Sequence, residues 1–356
     1  MISLNGHSPK RTIAVDAMGG DHAPEEIVKG AVEAHRQGVD VVLVGRIDEV
    51  RHHLSALRAD LPVVDATDVI GMDEPVTSGL RRRRSSLQVA AELASSGEAD
   101  GVVSCGNSAA IYFVAFSEWG TYPGIDRPAF GALLPCRNGQ VLVLDVGANT
   151  IVKSSNLLQF AIMGEVYMKL AHGIATPRIA LLSNGSEDSK GTKEIKEANE
   201  ALRRLSVNFV GNIEGNHVFE GQADVVVCDG FSGNVLLKSG EGVVHEIFRE
   251  MRKELSRDPL SKLAAAALRP AFVRLKRRLD YEEYGGAPVL GVDGVMINCH
   301  GRSKARAVTN AICLADRMVQ QNLVERIGDA LHHEGTETHH RRIRLRRALH
   351  LRASEV

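Results

Sequence analysis

The chain repeats one short pattern, and this repetition constrains its fold more than any other feature. An apolar, mostly β-branched run ends at a polar or glycine-rich turn, and an apolar helical period follows, as in residues 12–34, 101–116 and 178–205. Alternating strands and helices predict βαβ units and a mostly parallel sheet. Ligands of such sheets bind beyond the carboxyl ends of the strands. We therefore expect the polar turns to converge on one edge of the sheet.

Composition limits the possible classes of protein. The 356 residues, 44% hydrophobic and 24% charged, fit one large α/β domain or two fused lobes. The net charge of -1 argues against a nucleic-acid binder. The five cysteines are scattered without a CxxC pair, so neither a disulfide framework nor a metal site is expected.

The chain lacks two sequence features that would direct it out of the cytoplasm or into a membrane. Residues 1–11 have no apolar core of the kind found in signal peptides. No apolar stretch approaches the roughly 18 residues that a spanning helix needs. We expect a cytoplasmic protein, with one reservation about contact with the inner face of the cell membrane.

The common catalytic motifs are missing from the chain. No GxGxxG follows a strand, which argues against a nicotinamide cofactor, and Lys190-Gly191-Thr192 does not complete a P-loop. There is also no GxSxG elbow and no HExxH. The turns instead offer backbone amides, asparagines, serines and Lys190, which are groups that hold phosphate and stabilise an oxyanion.

The segment 224–238 is the clearest candidate for such a site. Val225–Val227 predicts a buried strand, Gly230 and Gly233 predict a turn, and an apolar helical segment follows. A helix start after a glycine turn binds anions through its N–H groups, and Asn234 is expected at the mouth of the turn. An ordinary βα turn built from good turn formers is the alternative.

The segment 251–279 has a different character. Apolar residues recur at helical spacing among many basic ones, and Pro259 and Pro270 are expected to break it into pieces. We predict helices that protrude near 240–280 and pack on the core or on a dimer partner. A basic amphipathic helix can also lie on an anionic bilayer surface.

The domain organisation follows from these patterns. Residues 1–11 are expected to be a loose start, 12–329 the main domain with the amphipathic insertion at 251–279, and 330–356 a basic, disordered or weakly helical tail. The arginine run at 81–84 is either an exposed loop or a patch that attracts an acidic partner.

Several blocks of the chain resemble one known family. They include VDAMGGDHAP (15–24), LDVGAN (144–149), LLSNGSEDSKG (181–191), VVVCDGFSGNVLLK (225–238) and YGGAPVLGVDG (284–294). These blocks resemble the acyl-acyl-carrier-protein:phosphate acyltransferases of bacterial phospholipid synthesis (the PlsX family), and the resemblance covers most of residues 13–316. It implies a Rossmann-like three-layer α/β/α fold related to phosphotransacetylases, and a homodimer at the inner face of the cytoplasmic membrane.

The resemblance also implies a reaction and its partners. Inorganic phosphate would attack the thioester of long-chain acyl-carrier protein without any cofactor, giving acyl phosphate for phosphatidic acid synthesis and a downstream glycerol-3-phosphate acyltransferase. Two alternatives stay open. One is a phosphotransacetylase-like enzyme that uses short acyl-CoA, and the other is a non-catalytic protein that binds phosphate or acyl carrier.

By similarity, Lys190 and Asn234 are the predicted catalytic residues. Lys190 would bind phosphate and offset charge in the tetrahedral transition state, and Asn234 would orient phosphate or donate to the thioester oxyanion. Any of the weaker candidates for phosphate or substrate binding could instead cap a helix. These candidates are Asp16, Ser104, Asn107, Asn184 and Gly233.

One loop departs from the family pattern. Residues 104–110 read SCGNSAA, with Cys105 and Ala109 where SAGNTGA is expected. We expect Cys105 to be a small buried residue, and the departure leaves the role of this loop open.

Overall fold

A computed structural model describes residues 11–75, 82, 84–279 and 285–334, apart from the side chains of 276 and 277. Eleven strands form one sheet in the order β3-β2-β1-β4-β11-β10-β5-β6-β9-β7-β8. The strands are β1 (Thr12–Asp16), β2 (Asp40–Gly45), β3 (Val63–Asp65), β4 (Gly101–Ser104), β5 (Ala129–Cys136), β6 (Gly139–Leu144), β7 (Ile179–Leu182), β8 (Phe209–Ile213), β9 (Val225–Val227), β10 (Ala287–Leu290) and β11 (Met296–Asn298).

Helices cover both faces of the sheet, which confirms the three-layer α/β/α fold. One apolar cluster joins α1, α2, α5, α6 and α10 to one face, and a second joins α3, α4, α7 and α8 to the other. The helices are α1 (Glu25–Arg36), α2 (Ile47–Ala56), α3 (Ser86–Ser95), α4 (Ser108–Trp119), α5 (Ser154–His172), α6 (Lys193–Leu202), α7 (Gly215–Val218), α8 (Gly230–Leu255), α9 (Pro259–Leu279) and α10 (Ala305–Gln320).

The strand directions divide the sheet into two halves. In the first half-sheet, β1, β2, β3, β4 and β11 are parallel, and in the second, β6, β9, β7 and β8 are parallel. Between them, β10 and β5 pair antiparallel with their neighbours on both sides. The carboxyl ends of the two half-sheets therefore lie at opposite edges, here called the first edge and the second edge. The expectation that all polar turns meet at one edge is wrong.

The reversal depends on the hairpin between β5 and β6. Cys136 pairs with Gly139, so Arg137 and Asn138 form a two-residue loop. Gly139 has φ 128°, a conformation that suits glycine. The sequence analysis did not predict β5, although Asn138-Gly139 between two apolar runs is a recognised hairpin signal.

The helices near 240–280 differ from the prediction in two details. Helix α8 begins at Gly230, so Asn234 lies in its second turn and not at the mouth of the preceding turn. Pro259 begins α9, where a missing N–H costs little, but Pro270 lies inside that continuous helix. The two helices carry apolar side chains that are half exposed or more, among them Val243, Ile247, Leu260, Leu263 and Leu268.

At the carboxyl end of the described chain, residues 323–334 form a further helix after α10. Ordered structure thus continues past 329, while residues 335–356 of the predicted tail and residues 1–10 of the predicted loose start lie outside the described residues. Among the helices that the structure describes, none combines the length and the apolar character needed to cross a bilayer.

Candidate functional site

At the second edge, the carboxylate of Asp145 organises the loop that follows β6. Its Oδ1 accepts hydrogen bonds from the backbone N–H groups of Phe130, Gly147 and Ala148 at 3.0–3.1 Å. Its Oδ2 accepts from the backbone N–H of Asn149 at 2.6 Å and from the Asn149 amide at 3.0 Å. Burial raises the pKa of Asp145, although these donors favour its charged form. The carboxylate therefore fixes the shape of loop 145–149.

The amino-terminal end of α8 packs directly against this loop. The backbone N–H of Gly230 donates to the carbonyl of Asn149 at 2.6 Å. A Cβ atom at Gly233 would lie 1.9 Å from the carbonyl oxygen of Asp145, so the helix approaches the loop as closely as only glycine allows. Gly233 is buried. Close packing against loop 145–149 explains why residue 233 is a glycine.

Asp229 is the N-cap of α8. Its Oδ1 accepts from the backbone N–H of Ser232 at 2.8 Å and its Oδ2 from the Ser232 hydroxyl at 2.7 Å.

We expect Asp229→Ala to lower the free energy of unfolding by about 1 kcal/mol, since orphan N–H groups lose an acceptor. Urea unfolding measures this loss. Asp258→Ala is the matched control, because Asp258 makes the same two bonds to Ser261 at the exposed start of α9. A larger loss at Asp258 would contradict the expectation.

Lys190 also lies at the second edge, in the loop that follows β7. Strands β7 and β9 are neighbours, so the loop with Lys190 and the start of α8 leave the sheet side by side. Asn184 shapes the loop, because its Oδ1 accepts from the backbone N–H of Gly191 at 2.9 Å. Lys190 is exposed, and within the described part of the chain its ammonium group has no ion-pair partner. Asn234 is exposed as well, and no hydrogen bond joins it to Lys190 among the described residues.

Three other predicted site residues lie at the first edge. Asp16 accepts from the backbone N–H groups of Met18 and Gly19 at 3.1 Å and from the Ser104 hydroxyl at 2.6 Å. Burial raises the pKa of Asp16. Asn107 caps α4 by accepting from two backbone N–H groups of that helix. All three side chains hold loops together at the first edge, whereas Lys190 lies at the second edge.

Cys105 and the arginine run belong to the same edge. Cys105 is 1% exposed, so the prediction of a small buried residue is confirmed. Arg82 forms an ion pair with Glu74 at 3.2 Å and donates to the carbonyl of Val69. Arg81 and Arg83 lie outside the described residues.

Helices α4 and α8 cover the central strands on the same face of the sheet, and we call the space between them the central cleft. On α4, Ser108, Tyr112 and Phe116 recur at every fourth residue and share one side of the helix. The Tyr112 ring packs against Phe130 of β5 at 5.8 Å between centroids. This contact turns that side of α4 towards the strand that lies under α8.

Asn234 lies on the facing side of α8. Lys238 is four residues further along the helix, so the two side chains share one side. The pKa of His300, just after β11, is lowered first by burial and next by the charge of Lys238. Lys238 therefore lies near enough to the end of β11 for its charge to act there, and Asn234, one turn earlier, lies on the same side of α8.

The sequence analysis missed two residues of this region. His300 was not among the predicted residues, and it is half-buried at the end of β11. Asn298 ends that strand and contacts α4. The glycine-rich segment around both residues was the available signal. Among the residues that the structure describes, no cluster of metal-ligating side chains is present.

Comparison with solved structures defines the class of protein. The fold is similar to that of a phosphotransacetylase from Streptococcus pyogenes, with a TM-score of 0.60, 18% identity, and coverage of 87% of this chain and 94% of that one. A branched-chain phosphotransacylase from Enterococcus faecalis gives a TM-score of 0.56 at 15% identity, covering 87% and 99%. The chain thus has the α/β fold found in phosphotransacetylases.

Sequence relatives identify the family. A phosphate acyltransferase of Thermodesulfovibrio yellowstonii is 44% identical over 323 residues, 90% of this chain and 94% of the relative. That of Heliobacterium modesticaldum is 46% identical over 321 residues, 88% and 96%. The family described as fatty acid synthesis protein matches residues 11–326. The chain belongs to this family of phosphate acyltransferases and is an acyltransferase.

Proposed function

We propose that the protein transfers a long-chain fatty acyl group from acyl-carrier protein to inorganic phosphate, as a step of phospholipid synthesis. A phosphate oxygen attacks the thioester carbonyl carbon, the new C–O bond forms and the C–S bond breaks. The proton of hydrogen phosphate passes to the departing sulfur. The products are acyl phosphate and the free carrier thiol, and a glycerol-3-phosphate acyltransferase would consume the acyl phosphate.

The observation that carries this proposal is the exposed ammonium group of Lys190, which has no ion pair among the described residues and lies beside the start of α8, in a member of this family. Lys190 binds phosphate and offsets negative charge as the tetrahedral intermediate forms. Asn234, along the central cleft, orients phosphate or donates to the thioester oxyanion. Because phosphate is itself the nucleophile, positioning and charge stabilisation suffice, and neither an enzyme nucleophile nor a cofactor is needed.

The other predicted residues act through the loops in this proposal. Asn184 shapes the Lys190 loop, and Gly233 lets α8 approach loop 145–149. Asp16, Ser104 and Asn107 hold the loops at the first edge, on the side of the cleft where α4 begins.

The experiment follows thiol release from long-chain acyl-carrier protein, with and without phosphate. We expect release that depends on phosphate and yields acyl phosphate in equal amount. A higher kcat/KM with short acyl-CoA than with the carrier would favour the phosphotransacetylase-like alternative. Binding of phosphate and carrier without any turnover would favour the non-catalytic one.

A homodimer is the second part of the proposal. A cavity of about 1180 Å³ lies between the α8–α9 pair and the body of the protein, and none of the predicted site residues lines it. Its walls are mainly apolar, with Leu237, Val244 and Phe248 on α8 and Leu275 on α9. Exposed apolar side chains continue along both helices. A second copy that packs here would cover this surface. Sedimentation equilibrium should give twice the chain mass, and a monomer at micromolar concentration would contradict it.

Helix α9 also supports contact with an anionic membrane. Exposed Leu260 and Leu263 stand beside exposed basic residues such as Lys262, Arg269 and Arg274. A basic amphipathic helix binds anionic lipid through burial of its apolar face and through charge.

Charge reversal on α9 tests this contact. We expect Lys262→Glu, Arg269→Glu and Arg274→Glu together to weaken binding to vesicles containing anionic lipid by at least tenfold, since each basic residue near the surface contributes about 1 kcal/mol. Vesicle co-sedimentation at low and high salt measures it. The matched control reverses the exposed residues Arg51, Lys193 and Arg204. Equal weakening by both sets would show a general charge effect and count against a membrane-binding helix.

A further inference from the structure

Asn298 places an amide on the floor of the central cleft. It ends β11, where it pairs with Ala287 of β10 and with Ser104 of β4. Met296, two residues earlier, packs in the same apolar cluster as α4, so Asn298 points to the same face of the sheet. Its Nδ2 donates to the hydroxyl oxygen of Ser108, the first residue of α4, at 2.9 Å.

The Asn298–Ser108 pair has an acceptor, Oδ1 of Asn298, and at least one donor, the Ser108 hydroxyl, left over. Oδ1 of Asn298 is buried and has no partner in the described part of the chain. Ser108 is exposed, and its hydroxyl proton has no acceptor among the described residues. If the amide nitrogen and oxygen are exchanged, Ser108 donates to Asn298 and the pair still offers one donor and one acceptor. The chemical complement of such a pair is a secondary amide, whose N–H donates and whose carbonyl accepts.

The position of the pair connects it to the proposed reaction. Helix α4 packs on β11 and α8 packs on β5, two strands away, and both helices cover the face of the sheet to which Asn298 points. The aromatic side chains of Tyr112 and Phe116 continue the same wall from Ser108 along α4. A substrate in the central cleft would therefore extend from Asn234 towards the Asn298–Ser108 pair.

We propose that Asn298 and Ser108 bind a secondary amide of the pantetheine arm that carries the thioester. This inference rests on the proposed function and adds a subsite for the thiol side of the substrate. A pantetheine arm ends at the sulfur and contains secondary amides, and it is common to acyl-carrier protein and coenzyme A. A buried oxygen that lacks a partner costs free energy until such an N–H fills it.

The test compares three thioesters of one long-chain acid, attached to the carrier, to coenzyme A, or to ethanethiol, which has no amide. Asn298→Ala should lower kcat/KM about tenfold for the first two, mainly through KM, and leave ethanethiol unaffected. The KM for phosphate should not change. An equal fall for all three thioesters, no fall for any, or a fall with the carrier alone would overturn the proposal.

Further variants separate binding from folding. Ser108→Ala should match Asn298→Ala, and the double variant should lose little more than either, because both residues serve one amide. Asn208→Ala is the matched control, since the Asn208 amide also donates a hydrogen bond, in this case to the backbone carbonyl of Thr176 at the amino end of β8. It should change nothing, and a fall equal to that of Asn298→Ala would overturn the proposal.

A direct binding measurement tests this subsite independently of the proposed reaction. An S-alkyl pantetheine is a thioether that cannot react, and calorimetry gives its affinity for each variant. We expect about tenfold weaker binding by Asn298→Ala. If the wild-type protein binds this thioether but releases no thiol with phosphate, the proposed function fails and the subsite stands. Equal affinity for wild type and Asn298→Ala overturns the subsite.

Discussion

Lys190→Ala is expected to lower phosphate-dependent thiol release by roughly 100- to 1,000-fold, the usual cost of losing one stabilising group at a developing oxyanion. The exposed ammonium group has no ion pair among the described residues, so its charge is available to a bound anion. If Lys190 holds phosphate in both the ground state and the transition state, the KM for phosphate rises. If it acts mainly in the transition state, kcat falls. Initial rates at varied phosphate concentration separate the two.

Lys193→Ala is the matched control for Lys190. Lys193 follows in the same region of the chain, 81% of its side chain is exposed, and its ammonium group pairs loosely with Glu197 at 3.8 Å. Removing it should leave turnover within about twofold, because a solvated pair of this kind contributes little. Lys190→Arg should retain part of the activity because it keeps the charge. Full turnover by Lys190→Ala would remove Lys190 from the mechanism.

Gly233→Ala should lower the free energy of unfolding by about 3 kcal/mol, at the upper end of overpacking costs. The added Cβ would lie 1.9 Å from the carbonyl oxygen of Asp145, and both sides of this contact are backbone. Neither backbone segment can rotate out of the contact as a side chain could. The shift in the urea midpoint measures the loss.

Gly242→Ala in the same helix is the control. A Cβ at Gly242 would meet no atom within 4 Å, so the substitution should raise the free energy of unfolding by up to about 1 kcal/mol through helix propensity alone. Equal stability of the two variants would show that α8 is not pressed against loop 145–149. Activity of folded Gly233→Ala then tells whether the shape of this loop matters for turnover.

Most of the fold could be predicted from local patterns. Apolar runs such as Val225–Val227 and the helical periods after them identify strands and helices because burial selects apolar side chains at spacings set by each element. The order of strands and helices predicted a mostly parallel α/β sheet, and the family resemblance implied the three layers. The quoted motif blocks identified the family, because they are long and occur in a fixed order.

The reversal of the sheet could not be read from those patterns. It depends on β5, whose Pro135 and Gly131 weaken its strand pattern, and on a two-residue loop at Arg137 and Asn138. Asp16 and Ser104 end two strands, and Asn184 and Lys190 follow a third, so the four residues look alike in sequence. Strand direction places them at opposite edges, and direction is a property of pairing between strands.

The sequence by itself determined the elements, the layers and the family of this protein, since these follow from local side-chain chemistry and from motifs along the chain. Only the tertiary structure decided which turns are neighbours, because hydrogen bonds between distant strands set that. It gave Asp16, Ser104 and Gly233 internal partners and left Lys190 and Asn234 exposed. No local pattern records such contacts, because each joins residues far apart in the chain.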